Sequence, residues 1–304
     1  MITIEFLKKT FGTIKAVDGL SIEIGDGSVV ALLGPNGAGK TTTMRMLAQV
    51  YEPDGGRILF DGVEIAQDPI TAKSYVGYLP ENNPLDEDML VAEYLDLIAD
   101  LRDLAGADKT RAIDAAVRKT GIEDVYWRPI GELSKGYRQR VGIAQAILAD
   151  PKILILDEPT EGLDPNQRQE IRALIREIGK ARTVIISTHV LQEVEAMASR
   201  VIIISRGKLV SDSTVEHLAH RGTKNIIHAE FAGTVDAVAI EKAIGGAKVV
   251  RTQPTEGGRV RYYIETVDDI RPKIMTFAKD NNLEVWEMSR ETASLEDVFR
   301  ELTK

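Results

Sequence analysis

The chain has 304 residues, 43% of them hydrophobic, a formal net charge of −9 and no cysteine. That length and apolar content suffice for a real core and predict two domains. The lack of cysteine excludes disulfides and thiolate–metal sites and fits the cytoplasm, while the acidic balance argues against general affinity for nucleic acid. No apolar run approaches the roughly 18 residues that span a bilayer, and no low-complexity tract or internal repeat is visible.

The opening "MITIEFLKKTFG" alternates apolar and polar residues, which predicts a strand, and it lacks a signal-peptide core. Next, "SVVALLGPNGAGKTTTMRML" reads as a buried strand ending at Leu33, a glycine-rich turn and a helix from about Lys40. It holds G-x-x-x-x-G-K-T at Gly34, Gly39, Lys40 and Thr41. In such a turn the glycines let backbone N–H groups converge on phosphate oxygens, and the helix start adds positive potential. Lys40 is then expected on the β- and γ-phosphates, and the Thr41 hydroxyl on Mg²⁺. Between and beyond them Pro35, Asn36, Gly37, Ala38 and Thr42 complete the candidate phosphate cradle.

Residues 82–131 carry helical signals. Leu90, Tyr94, Leu97, Ile98 and Leu101 fall at i, i+4, i+7, i+8 and i+11, which predicts one apolar helix face. Ala112, Ala115, Ala116 and Lys119 predict a second, weaker helix. The stretch "ELSKGYRQRVGIAQAIL" (132–148) then poses a problem. Ser134 caps an apolar helix that carries Arg138 and Arg140 near its start, where cations oppose the macrodipole. A helix start with Ser134 and a small Gly136 suits an anion, and nothing local says which one.

In "KILILDEPTEGLDPNQRQEI" four apolar residues run into Asp157 and Glu158. Taken alone, two acids there mean only a strand running out into solvent. Beside an intact phosphate loop, Asp157 is expected to hold Mg²⁺ through water and Glu158 to polarise a water as general base. A third buried run, "TVIIST", ends at His189; a lone histidine is more often structural than catalytic.

In this order the motifs resemble those of the ATP-binding subunit of an ABC (ATP-binding cassette) transporter. "GPNGAGKTT" is similar to its Walker A loop, "ILILDEP" to its Walker B, "EGLDP" to its D-loop and "STH" to its switch histidine. "LSKGYRQR" lies directly upstream of Walker B, where the family carries its LSGGQ signature. The resemblance covers residues 1–220. It implies an α/β P-loop NTPase cassette, with a mixed core sheet and a helical subdomain over about 82–150, in a nucleotide-binding domain of residues 1–222. It also implies a Mg²⁺-dependent ATPase in which two cassettes pair head to tail. Each signature helix, through Ser134 and the Gly136 N–H, would cap the γ-phosphate held by the other copy, which supplies the missing anion. The D-loop Asp164 joins the nucleotide site by the same implication, and His189 orients the attacking water with Glu158. Partners implied are a second cassette and transmembrane permease subunits, with this chain peripheral on the cytoplasmic face of the membrane.

Three positions depart from the family pattern. The signature has Lys135 and Tyr137 where Gly and Gln are usual, and Lys135 either contacts nucleotide or faces solvent. Glu81, in "VGYLPENNPL", replaces the Q-loop Gln; it remains an oxygen donor towards Mg²⁺ or water, but a charged one. Phe11 stands where a Tyr usually stacks on adenine, a role that needs only the ring face. "YLPENNPL" and "LSKGYRQR" together are similar to cassettes of multidrug, polysaccharide and gliding-motility exporters. In the family the Q-loop edge of the helical insert receives a membrane subunit, which points to a docking groove near Glu81–Met89.

After residue 222 the character changes. "IIHAEF", "KVVRT", "RVRYYIET" and "LEVWEMSR" alternate like strands, with helices expected over 234–244 and 267–281. The order β-α-β-β-α-β predicts a small α+β, ferredoxin-like accessory domain over 223–304. "TASLEDVFREL" closes the chain with Ser294 and Asp297 in a capping pattern, and a similar tail occurs in the same exporter class. Trp286, Tyr262 and Tyr263 read either as a binding surface or, more simply, as core aromatics. The alternative function is a soluble ABC ATPase in translation or DNA maintenance. The second cassette or long coiled coil of such proteins is not seen. A regulatory module with dead sites conflicts with intact Lys40, Asp157, Glu158 and His189.

Overall fold

The computed structural model describes residues 1–221, 225–266, 268–291 and 295–303. They form two compact units, Met1–Val215 and Glu216–Leu302, so the division falls a few residues before the expected one, which itself lies outside the described residues.

The first unit opens with a hairpin, β1 (Ile2–Phe11) and β2 (Ile14–Ile24), whose Ile2, Ile4, Leu20, Ile22 and Ile24 are buried. β3 (Val29–Leu33) is buried along its whole length, as a continuous apolar strand covered on both faces must be. It is followed by α1 (Lys40–Leu47), β4 (Gly55–Phe60) and β5 (Val63–Glu64). The hairpin, β4 and β5 make an antiparallel sheet of order β2-β1-β4-β5. Next come α2 (Pro69–Ser74), β6 (Val76–Leu79), α3 (Val91–Leu101), α4 (Gly106–Thr120) and α5 (Lys135–Ile147). The chain continues through β7 (Ile153–Asp157), α6 (Pro165–Gly179), β8 (Thr183–Thr188), α7 (Leu191–Met197), β9 (Arg200–Ser205) and β10 (Lys208–Thr214).

The second sheet has the order β10-β9-β3-β8-β7-β6, parallel except for the β9–β10 pair. Its consequence is functional. β3, β8 and β7 are neighbours running the same way, so the segments that leave their carboxyl ends emerge side by side, where open α/β sheets bind ligands. Met44, Met46 and Leu47 of α1 share one core cluster with Leu20 and Phe60 of the first sheet and Ile155 and Ile185 of the second. The helix behind the phosphate loop is thereby fixed to both sheets.

The helical insert corrects the expected stripe. α3 buries Val91, Ala92, Leu95 and Ala99, while Leu97 and Leu101 are 44% and 70% exposed. Apolar residues lie on two faces of this helix, and the face with the two alanines packs inward, where small side chains allow close approach. In α4 the buried residues are Ile113, Ala116, Val117 and Thr120, so of the expected set only Ala116 is buried.

The division falls after the first residue of α8 (Val215–Arg221), and the second unit continues with β11 (Asn225–Ala232), α9 (Ala237–Ile244), β12 (Lys248–Pro254), β13 (Arg259–Thr266), α10 (Arg271–Asp280), β14 (Val285–Glu291) and α11 (Leu295–Leu302). Its antiparallel sheet has the order β12-β13-β11-β14, the ferredoxin-like arrangement. Ile227, Phe231, Tyr262 and Ile264 pack with Ile240, Ile244, Ile274 and Phe277 from α9 and α10. The aromatics divide. Tyr262 is core, its hydroxyl donating to the Val235 carbonyl at 2.7 Å and accepting from the Val235 N–H at 2.6 Å. Tyr263 stacks with His228 and Arg251, and Trp286, 59% exposed, lies under the Arg259 guanidinium. Ser294, half of the expected terminal capping pair, lies outside the described residues.

Candidate nucleotide-binding site

The turn after β3 is built to present backbone donors. Gly39 has φ +104°, and a Cβ there would collide with the Ala16 carbonyl, so glycine is required for both reasons. No side chain caps α1, whose first N–H groups therefore lack intrahelical partners and face outward from the helix start. Lys40 is almost fully buried. Its Nζ donates to the Gly34 carbonyl at 2.9 Å and the Pro35 carbonyl at 3.4 Å, and stands 3.6 Å from Glu158 Oε1. These contacts hold the ammonium over the loop.

β7 delivers the two acids. Asp157 is 0% exposed; its Oδ1 accepts from the Thr41 hydroxyl at 3.2 Å and from the Ser187 hydroxyl, while its buried Oδ2 has no partner. A buried carboxylate oxygen left open costs free energy unless something else fills its shell. An acid beside a threonine hydroxyl, with one oxygen free, fits a hard divalent cation that takes its other ligands from phosphate and water. Burial pushes the Asp157 carboxyl up, against the hydrogen bonds from Ser187 and Thr41.

Glu158 leaves the strand at φ +49°, a conformation uncommon for a residue with a side chain and frequent at functional sites. Its N–H donates to the Ser187 hydroxyl at 2.9 Å, and its Oε1 lies 3.1 Å from His189 Nδ1. Burial raises the Glu158 carboxyl above its ordinary value, opposed by His189 and Lys40. That direction moves a candidate base towards neutral pH.

Lys40, Thr41, Glu158 and His189 share one cavity of about 380 Å³, lined also by Ile14, Ala16, Asn36, Gly37, Ala38, Gly39, Thr42, Glu81 and Glu161; Asp157 does not line it and is joined to it through the Thr41 hydroxyl. Lys40, Thr41, Asp157, Glu158 and His189, which come from three separate segments, thus lie close together, and Glu81 stands on the wall. Phe11 is not among the lining residues; its ring meets Tyr51 edge-on at 5.6 Å, on the same hairpin as Ile14. Asp164 instead caps α6, accepting from the Asn166 and Gln167 N–H groups at 3.0 and 2.9 Å.

Ser134 and Gly136 lie outside this cavity too. Ser134 caps α5 by accepting from the Tyr137 N–H at 3.3 Å, and Gln167 occupies the space a side chain on Gly136 would need. The two arginines have other work. Arg138 pairs with Glu87 at 2.7 Å, and Arg140 pairs with Glu170 at 2.6 Å while donating to the Thr120 carbonyl. These ion pairs offset their opposition to the macrodipole. Lys135 is exposed to solvent, as one of its two expected placements has it, and its ammonium lies beside Gly162 of the D-loop.

Two residues missed in the sequence organise the site. Ser187, opposite Asp157 in the β7–β8 register, holds both acids. Asn83 donates from Nδ2 to the Arg138 carbonyl at 2.8 Å, tying the segment after Glu81 to the signature helix. Neither carried a signal in the sequence: Ser187 is one of three hydroxyl residues in β8, beside Thr183 and Thr188.

Known proteins resemble this chain in sequence and fold. Residues 17–161 match the family model described as ABC transporter. The chain is 33% identical to the bacitracin transport ATP-binding protein BcrA of Bacillus licheniformis over 298 residues, 97% of this chain and 95% of that protein. It is 32% identical to the Nod factor export ATP-binding protein I of Paraburkholderia xenovorans, covering 99% and 96% of the two chains. The solved structure of cbiO1 from Clostridium perfringens, part of the ABC transporter complex cbiONQ, superposes with a TM-score of 0.65 at 31% identity, covering 71% of this chain and 89% of that one. The chain belongs to the ATP-binding proteins of ABC transporters and is an ATPase of that family.

Proposed function

We propose that this chain hydrolyses ATP in a head-to-tail pair of its own copies and so drives an exporter whose membrane path belongs to separate subunits. One observation carries the reading. The cavity that gathers the phosphate loop, Glu158 and His189 is not lined by Ser134 or Gly136, so a phosphate held there is left for the signature helix of another copy. The isologous pair then contains two composite sites.

Within each site the loop N–H groups and Lys40 bind the phosphates, with Thr42, Gly34, Pro35 and the rest of the loop shaping the cradle. Phe11 supplies a ring face at the hairpin for the base. Thr41 and Asp157 would hold Mg²⁺, which supplies charge neutralisation on the phosphates when bound. Glu158 takes the proton of the attacking water, His189 orients Glu158 through the 3.1 Å contact, and Glu81 adds an oxygen at the wall. Lys40 stabilises the charge that develops on the γ-phosphoryl group. Export as the direction is supported by relatives named for bacitracin transport and Nod factor export. Among the described residues no helix is long and apolar enough to cross a membrane. The reading therefore assigns that path to transmembrane permease subunits, with this chain peripheral on the cytoplasmic face and the groove lined by Asn82, Pro84, Leu85 and Glu87 as their docking edge.

The test is Glu158→Gln with saturating ATP and Mg²⁺, followed by sedimentation velocity. A stable, ATP-bound dimer without turnover is the expected outcome. A chain that stays monomeric, or that hydrolyses ATP at the parent rate, contradicts the reading.

A further inference from the structure

Behind the cavity lies a buried carboxyl group that the reaction described above leaves unused. Glu193, in α7, is 3% exposed. Its Oε1 accepts a hydrogen bond from the Thr160 hydroxyl, and its Oε2 accepts from the Thr188 hydroxyl at 2.8 Å. Arg172 Nη2 and Arg168 Nε stand 3.7 and 3.9 Å from Oε1.

The two hydroxyls belong to different working segments. Thr160 lies two residues after Glu158 and opens the D-loop turn that ends at Asp164. Thr188 directly precedes His189, and its hydroxyl also accepts from the Val190 N–H at 3.0 Å. Arg168 reaches the same D-loop, donating to the Leu163 carbonyl at 3.2 Å. Both segments are thus fastened to one carboxyl group, itself held between two guanidinium groups. Packing alone does not account for this choice, because an apolar side chain of similar volume fills such a space at lower desolvation cost. What an apolar residue does not do is fix the two segments to each other.

We propose that Glu193 is a positioning residue for ATP hydrolysis, which locks the D-loop to the loop bearing His189. A shift of the D-loop is passed through Thr160 and Glu193 to Thr188, and so to the histidine that faces Glu158. The D-loop and the switch histidine then move as one piece, and the Glu158–His189 geometry forms only when the D-loop is seated. The proposal rests on Glu158 and His189 as the pair that activates water.

Thr160→Val and Thr188→Val each remove one hydroxyl at nearly constant volume and spare every residue assigned to nucleotide or water. Glu193→Gln removes the charge at the hub. For each, kcat and the equilibrium affinity for ATP with Mg²⁺ are measured separately in the full chain, with thermal unfolding as a check on folding. The expected result is a loss of about tenfold or more in kcat for each Thr variant, with affinity within about twofold of the parent. The double Thr variant should lose no more than the worse single, because both arms serve one linkage. Unchanged kcat, additive losses, or losses that track affinity or unfolding overturn the proposal, whether or not Glu193→Gln folds. Glu158→Gln in the same series separates the two claims. Parent-like turnover there sinks the base assignment, whereas a dead Glu158→Gln beside parent-like Thr variants sinks the positioning role alone.

Discussion

Two buried carboxylates show how differently the two units use charge. In the C-terminal unit Glu230 meets Arg261 at 2.9 Å and Arg259 at 3.4 Å across the sheet. In the cassette Asp157, equally buried, has two hydroxyl donors on one oxygen and nothing on the other. The first is a finished piece of architecture. The second leaves a buried oxygen open, which the proposed function fills with a cation, and this is why chemistry is assigned to the cassette and not to the aromatic and cationic face of the second unit.

Exchanging charge for amide at both places should therefore have different consequences. Asp157→Asn should cost at least about a hundredfold in kcat, the scale expected when a group that holds the reacting charges is lost. Glu230→Gln should lower the melting temperature and leave turnover at the parent level. Equal effects of the two on turnover would erase the distinction drawn here.

A smaller effect lies in the pH profile. Burial raises the Glu158 carboxyl, and the base works only when ionised, so turnover should fall as pH drops through this raised value. The acid limb of kcat is therefore expected at a higher pH than for a free glutamate. A limb at the value of a free glutamate would mean that the titrating group is not Glu158.

The smallest effect is on stability and has the opposite sign from the usual ion-paired acid. A carboxyl whose folded pKa is raised favours the protonated folded state, and that contribution is present at low pH and lost as pH rises through the folded value. At neutral pH the folded chain bears the cost of a buried, ionised Glu158. Glu158→Gln should thus raise the melting temperature of the nucleotide-free protein at neutral pH, with the gain shrinking in acid. Calorimetry across pH checks both the sign and its disappearance.

What could be read in advance depended on how far apart the cooperating residues lie. Gly34 to Thr41 form one contiguous motif, and Asp157 and Glu158 end one apolar run, so their grouping around one cavity was legible. Ser187 was not, because its meaning depends on the register that sets it opposite Asp157. The oddity of Arg138 and Arg140 was visible, yet the acids that resolve it lie in other elements, Glu87 before α3 and Glu170 in α6. The stripe on α3 misled because that helix is apolar on two sides, and periodicity does not say which side finds a partner. In the C-terminal unit alternation gave the strands and their ferredoxin-like order. The opposite fates of Tyr262 and Tyr263 follow from the same alternation, since adjacent strand residues face opposite ways.

The split site is the centre of the account, and the rate of ATP hydrolysis per chain, followed from dilute monomer to the fully associated state, tests it most directly. The rate should rise with concentration and level off as the pair saturates, in step with the association measured by sedimentation. A rate per chain that stays constant down to strictly monomeric protein would contradict it.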